Sequence, residues 1–296
     1  MRNSDKLRSR QMSEITCIKQ LDDQLWAVDE QQKVTLFIIN GSEKVLLIDT
    51  GSGLINLKKV IRDLCGTKPI AVINTHAHLD HTAGNNQFPA VYVGRYDEPE
   101  SHLLEEIYKK SGEMAYFRQG ISNKDLLGWN PGPAEHITPV KDGDTIDLGN
   151  LCMRVIEIPS HTLGSIALYE ANKGWLFSGD MILSWEAWAW LPNSATLKQY
   201  YDSVNLLCKM NHCIKRLFPS HGQEKLKLDG YSRFELPVDI LNIYRNGISD
   251  ILLGNYEYEA FKYNGIIHEK SSKDIPKRKV TFSAGGIIFN PNRTGI

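Results

Sequence analysis

Three imidazoles and a carboxylate stand within one short stretch, at His76, His78, Asp80 and His81. Neutral imidazole nitrogen and carboxylate oxygen are the donors that zinc and other first-row metals accept. The chemistry such a set can do is metal-assisted activation of water. On its own the cluster also fits a solvated loop or a set of helix-end dipole partners. The test within the sequence is whether further ligands stand where the fold could bring them to the first set.

Position is the next clue. Residues 69–74 are apolar and β-branched and read as a buried strand. The histidines therefore follow a strand's carboxyl end, where open α/β sheets place their sites. That placement recurs. His161 follows the apolar strand 152–158, Asp180 follows the strand 175–178, and His221 follows the strand 214–218. A lone His161 or His221 would more often be a hydrogen-bonded structural residue; their joint recurrence at strand ends points to one shared site.

The remaining elements must carry these strand ends. Strands are expected at 25–28, 34–39 and 44–49, with Asn40 and Gly41 as a hairpin signal between the last two. A helix is expected at 54–65, where Leu54, Leu57, Val60, Ile61 and Leu64 share one face. The second half adds a strand at 165–169 and a helix at 196–210. Two β-rich halves, each with helices, predict two sheets packed face to face with helices outside. The main domain is expected to run over 15–225. It carries a partly helical insertion at about 97–140, which reads equally as a lid or as a surface helical hairpin. Residues 226–296 form a C-terminal extension on the same domain, with a helix at 237–252 and a strand at 279–289. The first ten or so residues read as a loose tail.

Composition excludes several classes. The chain has 296 residues, 42% hydrophobic and 23% charged, enough for a large globular core. A net charge of −1 leaves no global basic field for nucleic acid. The one basic run, between Lys273 and Lys279, reads as a solvated loop. No stretch reaches the length of a membrane span, and the polar N-terminus, with no apolar run after it, is not expected to act as a secretory signal. Five cysteines without a framework (Cys17, Cys65, Cys152, Cys208 and Cys213) predict free thiols and a cytoplasmic location. Oligomeric state is not legible.

The motif set resembles the metallo-β-lactamase superfamily: H-x-H-x-D-H at His76, His78, Asp80 and His81, then His161, Asp180 and His221, with Asp49-Thr50-Gly51 matching the family's opening motif. The resemblance covers roughly residues 20–225. It implies an α/β (α+β) fold, an αββα sandwich of two mixed sheets with outer helices. It implies two divalent metal ions, zinc first, with iron or manganese also accepted by these donors. By the same resemblance His76, His78 and His161 hold one ion, Asp80, His81 and His221 hold the other, and Asp180 bridges them. Two neighbouring cations repel strongly unless anions sit between them, which suits a bridging carboxylate and a bridging hydroxide. Asp80 and Asp180 are thus the candidate catalytic carboxylates. Asp49 is a candidate acceptor for a ligand histidine.

Fold alone does not give substrate in such a family. A bridging Asp180 is unlike the true β-lactamases. The chain is similar to the glyoxalase II-like and lactonase-like hydrolases, with two departures. Met181 through Trp190 replaces the Gly-rich run of glyoxalase II, and Ile182 and Leu183 stand near where acyl-homoserine lactonases carry a tyrosine. Trp185, Trp188 and Trp190 either line an apolar pocket for a small-molecule substrate or pack in the core. The expected function is hydrolysis of an ester, lactone or thioester of a partly apolar substrate. The alternatives are a phosphodiesterase on the same site, an iron-dependent sulfur-compound oxygenase, and a ligand-binding protein with vestigial activity.

Overall fold

The computed structural model describes residues 16–99, 101, 131–222, 232–263 and 275–295. The first-ten-residue tail and most of the 97–140 insertion lie outside them. The first half begins with strands β1 (Thr16–Asp22), β2 (Leu25–Glu30), β3 (Val34–Asn40) and β4 (Val45–Ile48), each antiparallel to the next. Helix α1 (Leu57–Cys65) then crosses to β5 (Ile70–Asn74), which runs parallel to β4. The one-turn helix α2 (Leu79–Thr82) and strands β6 (Ala90–Gly94) and β7 (His136–Val140) complete a seven-stranded sheet in sequential order. β7 falls inside the span expected as insertion; it is largely exposed and carries a proline, so it lacks the apolar run that marks a strand.

The second sheet contains β8 (Thr145–Asp147), β9 (Cys152–Glu157), β10 (Ile166–Glu170) and β11 (Trp175–Gly179). Strand β12 (Glu186–Ala189) belongs to a third sheet, and helix α3 (Leu197–Lys209) leads to β13 (Arg216–Pro219). The order of the second sheet is β13-β11-β10-β9-β8. β9 and β11 are both antiparallel to β10, and β13 is parallel to β11. The carboxyl ends of β9, β11 and β13 therefore share one edge, which is where His161, Asp180 and His221 follow.

The C-terminal part supplies helix α4 (Ile240–Leu252) and strands β14 (Glu259–Ala260), β15 (Arg278–Thr281) and β16 (Gly286–Phe289). The single strand expected at 279–289 is a hairpin, because Gly285 adopts a left-handed φ of 76° and turns the chain. β16 pairs in parallel with β12 to close a four-stranded sheet, so the extension shares backbone hydrogen bonds with the segment after Asp180. The described part of the basic run, residues 275–279, is not a solvated loop. Lys277 is buried with its Nζ 4.5 Å from the Trp190 ring centroid, and Lys279 pairs with Glu186 at 3.0 Å.

Side-chain alternation explains the layers. On β3 and β4, Phe37, Ile39, Leu46 and Ile48 face the second sheet and meet Val155, Leu168, Phe177 and Phe218. Leu36, Ile38, Val45 and Leu47 point the other way, onto Leu57, Val60 and Ile61 of α1. Both faces are covered, so these strands read as unbroken apolar runs. Beyond the second sheet, Tyr200 and Val204 of α3 and Leu241, Tyr244 and Ile248 of α4 pack with Ala187 and Ile287 of the third sheet. The result is an αββα sandwich of mixed sheets. Each such core side chain contributes about 1.5–3 kcal/mol on burial. A Thr196–Gln199 capping box fixes the start of α3 and adds about 1 kcal/mol.

Candidate metal centre

All seven residues expected at the site meet at one edge of the sandwich. His76 and His78 follow β5, Asp80 and His81 lie on α2, His161 follows β9, Asp180 follows β11, and His221 follows β13. Gly179 lets the two sheets close here. Its φ is 54°, and a Cβ on it would lie 2.9 Å from the Thr75 Cβ.

Three sets of donor atoms gather within 4.8 Å of one another: His76, His78 and His161; His76, His81 and Asp180; and Asp80, His81 and His221. In the first set, His78 Nδ1 lies 3.1 Å from His76 Nε2 and 2.8 Å from His161 Nε2. In the last, Asp80 Oδ2 is 3.5 Å from His81 Nε2 and 3.3 Å from His221 Nε2. Asp180 reaches both sets. Its Oδ1 is 3.5 Å from His81 Nε2, and its Oδ2 is 3.1 Å from His221 Nε2 and 3.6 Å from His161 Nε2. Donors about 2.0–2.1 Å from a tetrahedral ion stand roughly 3.3 Å apart. The observed separations match that spacing.

The outer nitrogens explain why the inner ones point inward. His81 Nδ1 donates to Asp49 Oδ2 at 2.9 Å, with both side chains fully buried. His161 Nδ1 donates to the Trp188 carbonyl at 2.7 Å, and His221 Nδ1 donates to the Lys33 carbonyl. Thr75 Oγ1 donates to Asp49 Oδ2 and lies 3.1 Å from His76 Nδ1, which donates to it in turn. When neutral, each of these four rings is thereby held as the tautomer whose Nε2 lone pair faces the cluster. Two buried atoms at the centre, His81 Nε2 and Asp180 Oδ1, have no hydrogen-bond partner. Buried polar atoms are rarely left so, and a cation between these donors satisfies both. The residues fit a pair of divalent metal ions.

Electrostatics divides the cluster. Burial works against the charged form of His81, but Asp80, Asp180 and Asp49 together hold its pKa well above the usual value. Burial likewise opposes charge on His221, and Asp180 and Asp80 lift it to about 10. His76 is held well below the ordinary value by burial and by the neighbouring His81. His161 is lowered by burial. Burial favours the neutral acids, yet the histidine charges hold Asp80 and Asp180 well below the ordinary carboxylate range.

The sequence profile described as "Metallo-beta-lactamase superfamily" matches residues 29–221. The chain belongs to the metallo-β-lactamase superfamily. It is 26% identical over 240 residues to the acyl-coenzyme A thioesterase MBLAC2 of Bos taurus, covering 70% of this chain and 83% of that one. It is 26% identical over 224 residues to a hydroxyacylglutathione hydrolase of Francisella tularensis subsp. tularensis, covering 74% and 77%. A metallo-β-lactamase family protein from Thermus thermophilus shares the fold with a TM-score of 0.54 at 18% identity, over 79% and 82% of the two chains. Superfamily membership and the three overlapping groups of metal-binding residues together make the protein a metal-dependent hydrolase.

The tryptophans separate. The Trp185 ring lies 6.3 Å from that of His221, centroid to centroid. Trp188 contributes its carbonyl to His161, and its ring packs on Trp190 and Tyr263. Trp190 is fully buried against Leu191 and Ile288. Sequence reasoning missed Asp97. It is buried and accepts from Ala77 N at 2.9 Å, Thr162 Oγ1 at 2.7 Å and Gly164 N at 2.9 Å. It thereby ties the His76–His78 turn to the His161 turn. Glu30 was missed as well; it accepts from Ser52 N and Leu54 N and holds the Asp49 loop.

Proposed function

We propose that the protein is a dinuclear-metal thioesterase. His76, His78 and His161 would hold one ion, Asp80, His81 and His221 the other, and Asp180 both. The observation that carries this reading is the Asp180 carboxylate, whose two oxygens face histidines of both sets. When bound, the metal pair supplies a water of lowered pKa and polarises a carbonyl oxygen. The protein's residues do the rest. Asp180, only 8% exposed, keeps the two sets at a fixed separation. Asp80, with a side chain 30% exposed, is the accessible acid of the cluster and accepts a hydrogen bond from incoming water. Asp49, Trp188 and Lys33 hold the imidazoles in the tautomers the reaction needs. In the net reaction water adds to the acyl carbon, the carbon–sulfur bond breaks, and a carboxylic acid and a thiol leave.

The thioester class is supported by two kinds of relative: one is named for acyl-coenzyme A and the other for hydroxyacylglutathione, itself a thioester. The Trp185 ring beside His221 gives the acyl portion an apolar surface. A mononuclear oxygenase would leave Asp80, His81 and His221 without a role.

The test is a substrate panel on protein loaded in turn with zinc, manganese or iron(II). It comprises acyl-coenzyme A esters of several lengths, an acylglutathione, a lactone and a phosphodiester. Thioester turnover, read as released thiol, is expected, and chelation or Asp180→Asn should abolish it. Metal-dependent turnover of the phosphodiester or lactone with none of the thioesters would overturn the assignment.

A further inference from the structure

Four of the five imidazoles present Nε2 to the cluster and donate Nδ1–H outward. His78 is reversed. Its Nδ1 faces His76 and His161, so its outer nitrogen is Nε2. A ring that gives its Nδ1 lone pair inward carries its proton on Nε2 and needs an acceptor there. Among the described residues, the side chain lying against that atom is the Asn193 amide, with Nδ2 3.4 Å from His78 Nε2. Two donors cannot bond to each other. A half-turn of the amide puts Oδ1 in the same place, and the two orientations have almost the same shape.

We propose that Asn193 Oδ1 is the acceptor that orients His78, and that the C-terminal arm holds Asn193 there through Arg293. The proposal rests on the reading that the cluster binds two ions. Asn193 lies in the 191–194 turn after β12, and Arg293 grips that turn by its carbonyls. Its guanidinium donates to Leu191 O at 3.1 Å, Pro192 O at 2.7 Å and Ser194 O at 2.5 Å. A rigid fork of five N–H donors suits three converging carbonyls; a lysine is a point charge and does not span them. The other side of the turn is laced to the His161 loop: Leu163 N donates to Asn193 O, Ala195 N to Ser160 O, and Ser194 Oγ to His161 O. The Trp188 carbonyl that takes His161 Nδ1 lies on β12, whose neighbour in the sheet is β16. Two of the three histidines in this set are thus positioned by residues that the last strand and Arg293 hold in place. Asn193 and Arg293 are positioning residues; neither is assigned contact with substrate.

The experiment is metal titration of metal-free protein against a chromophoric chelator, with zinc and with cobalt(II). Wild type should bind two ions in two resolvable steps. Asn193→Ala should weaken one step 10–100-fold, the range for a lost outer partner of a metal ligand, and leave the other step unchanged. Arg293→Met should weaken the same step, and Arg293→Lys should recover part of the loss. The deciding variant is Asn193→Asp, which can accept but cannot donate. It should bind both ions within about threefold of wild type. If Asn193→Asp weakens binding as much as Asn193→Ala, the amide acts as a donor and the inference is overturned. Wild-type affinity in both Asn193→Ala and Arg293→Met would also overturn it. If Arg293→Met fails to fold, as judged by thermal unfolding of metal-free protein, Asn193→Ala and Asn193→Asp still decide. Failure of wild type itself to bind two ions would count against the two-ion reading, a separate result.

Discussion

The two halves of the metal cluster are braced from opposite ends of the chain, and only one of them uses a buried carboxylate. The half containing Asp80, His81 and His221 is held by the N-terminal sheet. There a buried carboxylate, Asp49, takes His81, and the turn after β2 offers the Lys33 carbonyl to His221. The half containing His76, His78 and His161 has neutral partners: Thr75 Oγ1, the Asn193 amide and the Trp188 carbonyl. Two of those three sit on the segment that the C-terminal strands hold. An anionic outer partner makes a histidine a stronger base, and a neutral one mainly fixes its direction. The difference teaches that similar donor atoms in one cluster should bind metal with different proton linkage.

That asymmetry, together with the Asp80 and Asp180 charges that raise His81 and His221, sets the largest expected effect. In metal-free protein at pH 7, His81 and His221 are protonated, since both are raised and His221 titrates at about 10. Binding an ion in their half displaces these protons, so its affinity should rise as pH increases from 7 toward 10, by about tenfold per pH unit for His221 alone. His76 and His161 are lowered and already neutral at pH 7, so they release none. Chelator competition at several pH values should show one steep step and one nearly flat step. Two equal slopes would break the comparison.

Asp49→Asn sharpens it next. The substitution keeps the shape and removes the charge that faces His81, Thr75 N and Thr75 Oγ1. It should weaken the steep step 10–100-fold and reduce its slope, with less effect on the flat step. The contrast with Asn193→Ala, which should act on the flat step, is the sharper test, because a general loss of packing would lower both together.

The donors were far easier to read in the sequence than most of the groups that brace them. The seven donors stand at strand ends in a recognisable order, and Asp49 closes a strand before a glycine, so side-chain identity alone marks them. The two apolar layers are instead separated by alternation along β3 and β4, which sends Phe37 and Ile39 to one face and Leu36 and Ile38 to the other. What could not be read is contact between distant segments. Asp97 is one acid among many until the 76–78 and 161–164 turns close around it. Trp188 acts through its carbonyl, which every residue owns, so its indole was a misleading signal. Arg293 matters for three carbonyls about a hundred positions away. β7, β8 and β12 are short and partly exposed or polar, and propensity is weak for such strands.

Glu30 tests whether the N-terminal brace is itself sensitive to pH. Burial, offset in part by hydrogen bonds from the Ser52 and Leu54 amides, pushes its carboxyl up to about 7. Lys33 and Asp80 are the charged groups coupled to it. The folded pKa lies above the unfolded one. The associated stability is therefore fully present below about pH 4.5 and is lost as pH rises through about 7. The change is roughly 3 kcal/mol, at 1.36 kcal/mol per pKa unit. Glu30→Gln should flatten the stability curve of metal-free protein across that window. It should cost about 1 kcal/mol at acid pH, where one amide loses its acceptor. An unchanged pH dependence would show that Glu30 does not carry it.

The smallest effect concerns the turn that offers Lys33 O to His221. Gln31 and Gln32 adopt φ of 56° and 57°, and Lys33 N closes the turn on Glu30 O at 2.9 Å. Positive φ at both central positions is the pattern for which Asn-Gly is preferred, and glutamine gains nothing there that the structure shows. The strain is retained because the strands on either side and the His221 contact over-determine the turn. Replacing Gln31 by Asn and Gln32 by Gly should stabilise the fold by about 1 kcal/mol. Both metal-binding steps should keep their affinities, since a backbone carbonyl does the work and the turn's path is unchanged. Loss of the steep step in a protein of higher thermal stability would mean that the glutamine conformation itself aims Lys33 O at His221, and the N-terminal brace would then owe part of its geometry to strain.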